Sequence, residues 1–301
     1  MWFRNLLLYR LNEPFEIPPE KLEQQLAEHA FTPCGGLDTH RSGWESPLGR
    51  HGRELCHHSD GRLMLCLRRE DRLLPPAVIR EELEQKISAI EESEARPVGR
   101  KEKSSIRDEI VVDLLPRAFT RSQHLFAYID PRAGLIVIDS ASTTRAEELL
   151  NLLRETLGSL RVSPLRVSHS PALLMTRWLE NQPPSGFVAG DECELKEPVD
   201  NGAVIRVRKM ILDSPDLRQH LDAGMQVTRL ALAWQERLNC VLGDDLCIRR
   251  LRFTDLVMEA AAEVDADDAA ARFEADFALM GAELANFIPA IVEALGGEDR
   301  A

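Results

Sequence analysis

The chain has 301 residues, 44 % hydrophobic and 29 % charged, with a formal net charge of −13, enough length for a real core and about two domains. Seventeen Gly and seventeen Pro scattered without a period exclude fibrous and low-complexity classes. No apolar run approaches the ~18 residues of a membrane span, and Met1-Trp2-Phe3-Arg4-Asn5-Leu6 has none of the parts of a secretory signal, which predicts a cytoplasmic protein with no membrane partner.

Residues 2–11 read as a strand with Phe3, Leu7 and Tyr9 on one side. Pro18-Pro19-Glu20 predicts a helix over 19–29 with Leu22, Leu26 and His29 at helical spacing, followed by turns that include Ser42 to Gly49. Asp60-Gly61 is a hairpin signal leading into the alternating Leu63, Leu65 and Leu67. Pro75-Pro76 opens a helix with a stripe of Val78, Ile79, Leu83, Ile87 and Ile90. After Pro97-Val98-Gly99 a second helix is predicted from Lys101 to Leu115, carrying Ile106, Ile110, Val111 and Leu114. Two amphipathic helices around a Pro/Gly break predict a helical hairpin projecting from a sheet.

Leu125–Ile129 and Leu135–Ile138 flank the turn Asp130-Pro131-Arg132-Ala133-Gly134 and predict a second hairpin. A capping box Thr144-x-x-Glu147 starts a helix that Gly158 stops, and a short helix holds Leu173, Leu174, Trp178 and Leu179. Sheet resumes at Asp191-Glu192-Cys193-Glu194-Leu195 and, across Asn201-Gly202, at Ala203 to Lys209, where alternation sets Arg206 and Arg208 on one face about 6.6 Å apart. A helix at Ser214–Leu221, a long run Gln226–Trp234 and a strand Leu246–Phe253 pairing Arg250 with Arg252 follow. The apolar stripe Phe273, Phe277, Met280, Leu284 and Phe287 closes the chain as a core helix.

Charge is unevenly spread. Between Arg96 and Arg107 five basic residues face one acid, a local balance of +4, whereas Asp255 to Ala301 holds twelve acidic and two basic residues, a balance of −10. Local field governs contact with a polyanion, so a basic surface is compatible with the acidic total. Phosphate-loop, dinucleotide, nucleophile-elbow and zinc-protease signatures are absent, so nothing here points to a nucleotide fuel, and no cofactor is expected. Six cysteines without Cys-x-x-Cys predict reduced, buried thiols. Cys56-His57-His58 is the best metal candidate, but adjacent strand residues point to opposite faces, so no metal site is expected. Ser140-Ala141-Ser142 reads as a helix cap rather than an anion site.

Met1 to Leu6, Leu115-Pro116-Arg117-Ala118-Phe119, Leu135 to Ser142, Asp191 to Leu195 and Arg250-Leu251-Arg252-Phe253 together resemble, in order and over essentially the whole chain, the RdgC family of recombination-associated proteins. The resemblance implies a bacterial, nucleoid-associated, non-catalytic protein that closes a ring from two subunits around DNA and restrains the RecA recombinase. It places the helical hairpin at a tip that closes the ring, with Phe119 at a subunit contact. The family often carries a polar residue after the basic one matching Lys209, where this chain has Met210.

The expected fold is therefore α+β: antiparallel-rich sheets with packed helices and a projecting helical hairpin, assembling as a ring-shaped homodimer. Residues 1–75 form an N-terminal α+β part, 76–116 the hairpin tip, 117–254 a central and base α+β region and 255–301 an acidic helical region. Double-stranded DNA is the expected partner, with single-stranded DNA as a further candidate, bound through Arg100, Lys101, Lys103, Arg117, Arg121, Arg206, Arg208 and Lys209. The competing expectation is a protein-interaction module acting through the hairpin and the acidic C-terminal region. A metal-dependent hydrolase built on Cys56, His57 and His58 is the third.

Overall fold

A computed structural model describes residues 1–210, 212, 214–262 and 268–300, with only the backbone of Ala262. Among these residues are eight helices and twelve strands. Strands β1 (Leu7–Leu11), β2 (His40–Glu45), β3 (Cys56–Ser59), β4 (Arg62–Leu73), β5 (Phe119–Asp130), β6 (Leu135–Ile138) and β7 (Val162–Pro164) form an antiparallel sheet in the order β2-β4-β5-β6-β1-β7, with β3 also on β4. Strands β8 (Phe187–Lys196), β9 (Val204–Arg208), β10 (Gln226–Trp234), β11 (Leu238–Gly243) and β12 (Ile248–Phe253) form a second antiparallel sheet, ordered β12-β11-β10-β8-β9. The backbone of Leu6 and Ile248 joins the two sheets through a reciprocal pair of hydrogen bonds, 2.7 and 3.1 Å long.

Alternation assigns the faces of the first sheet. Leu63, Leu65 and Leu67 of β4 turn to one core with Leu22 and Leu26 of α1 (Pro19–Glu28) and Leu149, Leu150 and Leu153 of α4 (Thr143–Leu157). Met64, Tyr128 and Val137 turn to the other, larger core, which they share with the inner face of the second sheet. That core also takes in α5 (Pro171–Asn181), α6 (Pro215–Asp222) and α8 (Ala269–Ala294), whose Phe277, Met280, Leu284 and Phe287 are buried. The C-terminal stripe is thus core, as its spacing predicts. α7 (Asp255–Ala262) precedes it; the acidic residues Glu263, Asp265 and Asp267 lie outside the described residues.

The helical hairpin consists of α2 (Pro76–Glu94) and α3 (Arg100–Leu114), entered from the end of β4 and left through a 3-10 turn at Leu115–Arg117 into β5. It has its own cluster of Val98, Ile106 and Ile110 with Ile79, Leu83, Ile87 and Ile90 against it, separate from the other two cores. β4 and β5 each run 12 residues and carry the hairpin on their far ends, where Leu73 faces Phe119.

Several local expectations give way to tertiary pairing. Ser42 to Glu45 belong to β2 rather than to turns, because Gly43 lets the strand lie against the backbone of Ala30 and Phe31: a Cβ there would stand 2.4 Å from the Phe31 Cα. Phe3 enters the larger core, away from Leu7 and Tyr9, since ladder pairing starts only at Leu6 and alternation does not extend further back. α4 starts at Thr143 rather than from a Thr144-x-x-Glu147 box: its N-cap residue is Ser142, whose side chain makes no capping hydrogen bond, and the Ser142 N–H donates to the Ser140 hydroxyl at 3.0 Å in the preceding turn. Asn201-Gly202 lies within a longer reversal over residues 197–203, in which the Glu197 N–H donates to the Ala203 carbonyl at 3.1 Å. β11 has no counterpart in the sequence reading; Asn239 and Gly243 break its apolar pattern.

Burying α8 between the sheets makes its aromatic residues critical. Phe277→Ala is expected to lower the unfolding free energy by about 3–5 kcal/mol in urea titrations; an unchanged midpoint would show that the helix does not brace the core.

Candidate nucleic-acid interface

The five-stranded sheet turns one face inward to the core, and alternation places the polar half of β8 and β9 on the other. Cys193 and Leu195 are buried while Glu192 and Glu194 point outward; Arg206 and Arg208 stand opposite them as cross-strand partners. Arg206 Nε donates to Glu194 Oε2 at 2.8 Å, and Arg208 Nε lies 3.5 Å from Glu192 Oε1. On the other side of β8, Arg229 of β10 brings Nη1 within 3.7 Å of Glu194 Oε2. Arg250 of β12 brings Nη2 to 2.7 Å from Glu192 Oε1.

That last contact reports the shape of the face. Two strands separate β12 from β8, a span of about 14 Å at ~4.8 Å per strand, so the sheet must curl for the side chains to meet. A bulge helps: Arg250 has φ +51° where the register between β11 and β12 shifts, and this aims its side chain across the face. Each carboxylate is thereby shared between two guanidiniums. The side chains of Arg206 and Arg208 are 65 % and 69 % exposed, whereas those of Glu194 and Glu192 are 15 % and 23 % exposed, so the acids lie low and the cations reach solvent. Within this cluster four arginines meet two glutamates, a local balance of +2. Burial alone would push the Glu194 carboxyl up, but the Arg206 hydrogen bond, the Arg229 charge and the Thr228 hydroxyl together hold it below its ordinary value of 4.5.

Elsewhere, Cys56 belongs to the core beneath α1 and α4, while His57 turns the other way, its Nε2 2.9 Å from Glu274 of α8 and its ring edge-on to Phe273. Among the described residues no group of three or more His, Cys, Asp and Glu is arranged to hold a metal ion. All six cysteines are free thiols and five are buried; burial pushes Cys56 and Cys240 up to about 12. Four of the nine carboxylates that the structure describes in the C-terminal region pair with distant parts of the molecule. Asp276 meets the Met1 amino group, Glu283 accepts from Arg237, Glu274 from the Ser59 hydroxyl at 2.8 Å, and Glu298 from Arg10 Nη2 at 2.8 Å. A groove of about 810 Å³ opens beside Lys209, walled by Trp178, Pro183, Val188 and Met210.

Comparison with known proteins places this architecture. Residues 1–298 match the model of the family described as "Putative exonuclease, RdgC". The chain is 45 % identical over 301 residues to the recombination-associated protein RdgC of Aeromonas hydrophila subsp. hydrophila, covering 100 % of this chain and 99 % of that one. It is 43 % identical to the protein of the same name from Tolumonas auensis and 44 % identical to that from Yersinia enterocolitica, over 99 % of both chains in each case. The chain belongs to the RdgC family. Its curated relatives are named for association with recombination, and the exonuclease stands only in the family description.

Within this RdgC fold the residues singled out from the sequence fall in three places. Arg206 and Arg208 are brought together on the open sheet face, and Lys209 follows β9 in a left-handed conformation, φ +55°. Arg100, Lys101 and Lys103 are exposed at the start of α3, while Arg96 is held by Glu94 and Glu102. Arg117 and Arg121 are exposed at the root of the hairpin, next to Phe119, which is 84 % exposed. Sequence reasoning missed Arg229 and the two glutamates as members of the face, and left Arg250 outside the candidate set. The alternation Glu192-x-Glu194 against Arg206-x-Arg208 was the available signal for the cross-strand pairs; nothing local could connect β12 to β8.

The lowered Glu194 value fixes the sign of a pH effect. Its contribution to stability is complete above about 4.5 and is lost as the pH falls through the lower folded value. Glu194→Gln is therefore expected to flatten the acid limb of the stability profile below about pH 4.5. Parallel urea-unfolding profiles for the two proteins would remove this carboxylate from the balance.

Proposed function

We propose that the chain is a non-enzymatic, nucleoid-associated protein that binds double-stranded DNA through its phosphates with little sequence preference, acts as a ring-shaped homodimer, and restrains recombination driven by RecA. The observation that carries the DNA reading is the open sheet face, where four arginines converge on two glutamates in a chain whose total is −13. Side chains there are exposed and spaced along strands, which suits a repeating backbone rather than base edges. Two such chains carry −26, so an inward-facing basic surface with the acids outward resolves the repulsion a polyanion would meet.

The hairpin supports the same reading. Arg100, Lys101 and Lys103 occupy the first turn of α3, the positive end of its dipole, where cations are unfavourable by about 0.3–1 kcal/mol each. A bound phosphate compensates that local cost. Phe119 and Leu73 form an exposed apolar pair at the hairpin root, and a second copy of the chain is the partner we assign to it. The competing module reading relies on a freely available acidic C-terminal region; the engagement of Glu274, Asp276, Glu283 and Glu298 within the molecule weighs against it.

Fluorescence anisotropy with labelled duplexes of unrelated sequence tests the DNA reading. Binding should be tight at low salt and weaken steeply with added salt, with a slope of about 0.9 per neutralised phosphate; absence of binding at low salt rejects it. Arg206→Ala/Arg208→Ala should weaken binding equally for all sequences and flatten the slope by about 1–2. Loss of full-length duplex during the same incubations with a divalent cation would reinstate the exonuclease. For Phe119→Ala, sedimentation velocity should show weaker self-association, and an unaltered profile with unaltered DNA affinity would remove Phe119 from the subunit contact.

A further inference from the structure

The face that best suits DNA carries two carboxylates at its centre, and they lie outside the apolar packing of the sheet. Cys193 and Leu195 supply the core contacts of this part of β8, while among the described residues Glu192 and Glu194 pair with groups of the open face. A neutral amide of the same size keeps one oxygen to accept from Arg206, and the Thr228 hydroxyl, which now donates to Glu194 Oε1 at 3.2 Å, can turn to accept from the amide NH2. What the acids add is negative charge, on the surface where phosphates would lie.

We infer that Glu192 and Glu194 are built-in counter-anions of the arginine face, sharing its guanidiniums with phosphate and holding down the affinity for nucleic acid. The inference rests on the DNA-binding reading above. Each guanidinium has five N–H donors, so Arg206 can keep its 2.8 Å bond to Glu194 and still offer its outer edge to a phosphate. The pairing therefore does not block contact; it lowers the positive potential the phosphate meets, from four charges to two. Low placement of the carboxylates suits this role, because they act on the guanidiniums from beneath without standing in the path of the ligand. The consequence is a surface that releases DNA readily and remains mobile along it, while each arginine stays anchored in place.

Duplex binding and dissociation of the full chain and of Glu192→Gln/Glu194→Gln distinguish the possibilities. The double variant should bind about tenfold more tightly at moderate salt, with a salt slope steeper by about 1–2 and slower dissociation into excess unlabelled duplex. Glu147→Gln/Glu155→Gln on α4 changes the total charge equally on another element and should leave affinity nearly unchanged. If both double variants tighten binding alike, a general charge effect replaces the inference. Unchanged or weaker binding by Glu192→Gln/Glu194→Gln, with salt-dependent binding by the unmodified chain, overturns the inference and leaves the DNA reading standing. No binding by the unmodified chain removes both. Should the double variant fold poorly, the single variants carry the test: each should give part of the gain, and no gain in either overturns the inference.

Discussion

The insertion of α8 between the two sheets is the packing event on which the rest of the molecule depends. Its buried aromatic and aliphatic residues meet Tyr128 of the first sheet and Trp234 of the second, and the same core reaches α5 and α6. Although the sequence shows no unbroken apolar run of membrane-spanning length, α8 could cross a bilayer by length and composition. Half of its most apolar stretch is buried inside this fold, and Asp276, Glu283 and Glu274 meet Met1, Arg237 and Ser59. With the inner faces of both sheets occupied, no layer of the described residues covers the arginine face of the second sheet. A two-residue period then sorts its strands, with apolar side chains turned to α8 and charged ones to solvent.

The resulting surface shows why net charge is a poor guide to partners. Charges that lie farther from the open face than the roughly 8 Å screening length at physiological ionic strength contribute little to the field there. A ligand on the open face therefore responds mainly to the arginines and glutamates beneath it. Cross-strand pairing also orders the arginines: guanidiniums anchored by a neighbouring carboxylate surrender less conformational freedom on meeting a ligand than free ones do.

The hairpin obeys a different balance. Three buried residues and a ring of half-buried ones make up its cluster, against the two extended cores of the body. Such a unit can open locally at less cost than the body can unfold. Its attachment through the long β4–β5 ribbon, whose register runs unbroken from Leu63↔Ile129 to Leu73↔Phe119, nevertheless fixes where its root residues stand. A movable tip on a rigid stalk suits the proposed closing of a ring.

Much of this was legible in the chain itself. Proline starts, glycine stops and apolar stripes located most of the helices, including the hairpin, because those signals act within a few residues of where they occur. Alternation set Arg206 and Arg208 on one face for the same reason. What only tertiary structure decided is which segments meet. Gly43 made a strand of a presumed turn by admitting a neighbouring backbone, and Leu6 linked the sheets. Arg250 reached Glu192 across two intervening strands because a bulge and the curl of the sheet brought them together. Local sequence sets the direction of a side chain relative to its own backbone, but the charge it finally meets depends on contacts between residues far apart in the chain, and no periodicity encodes those.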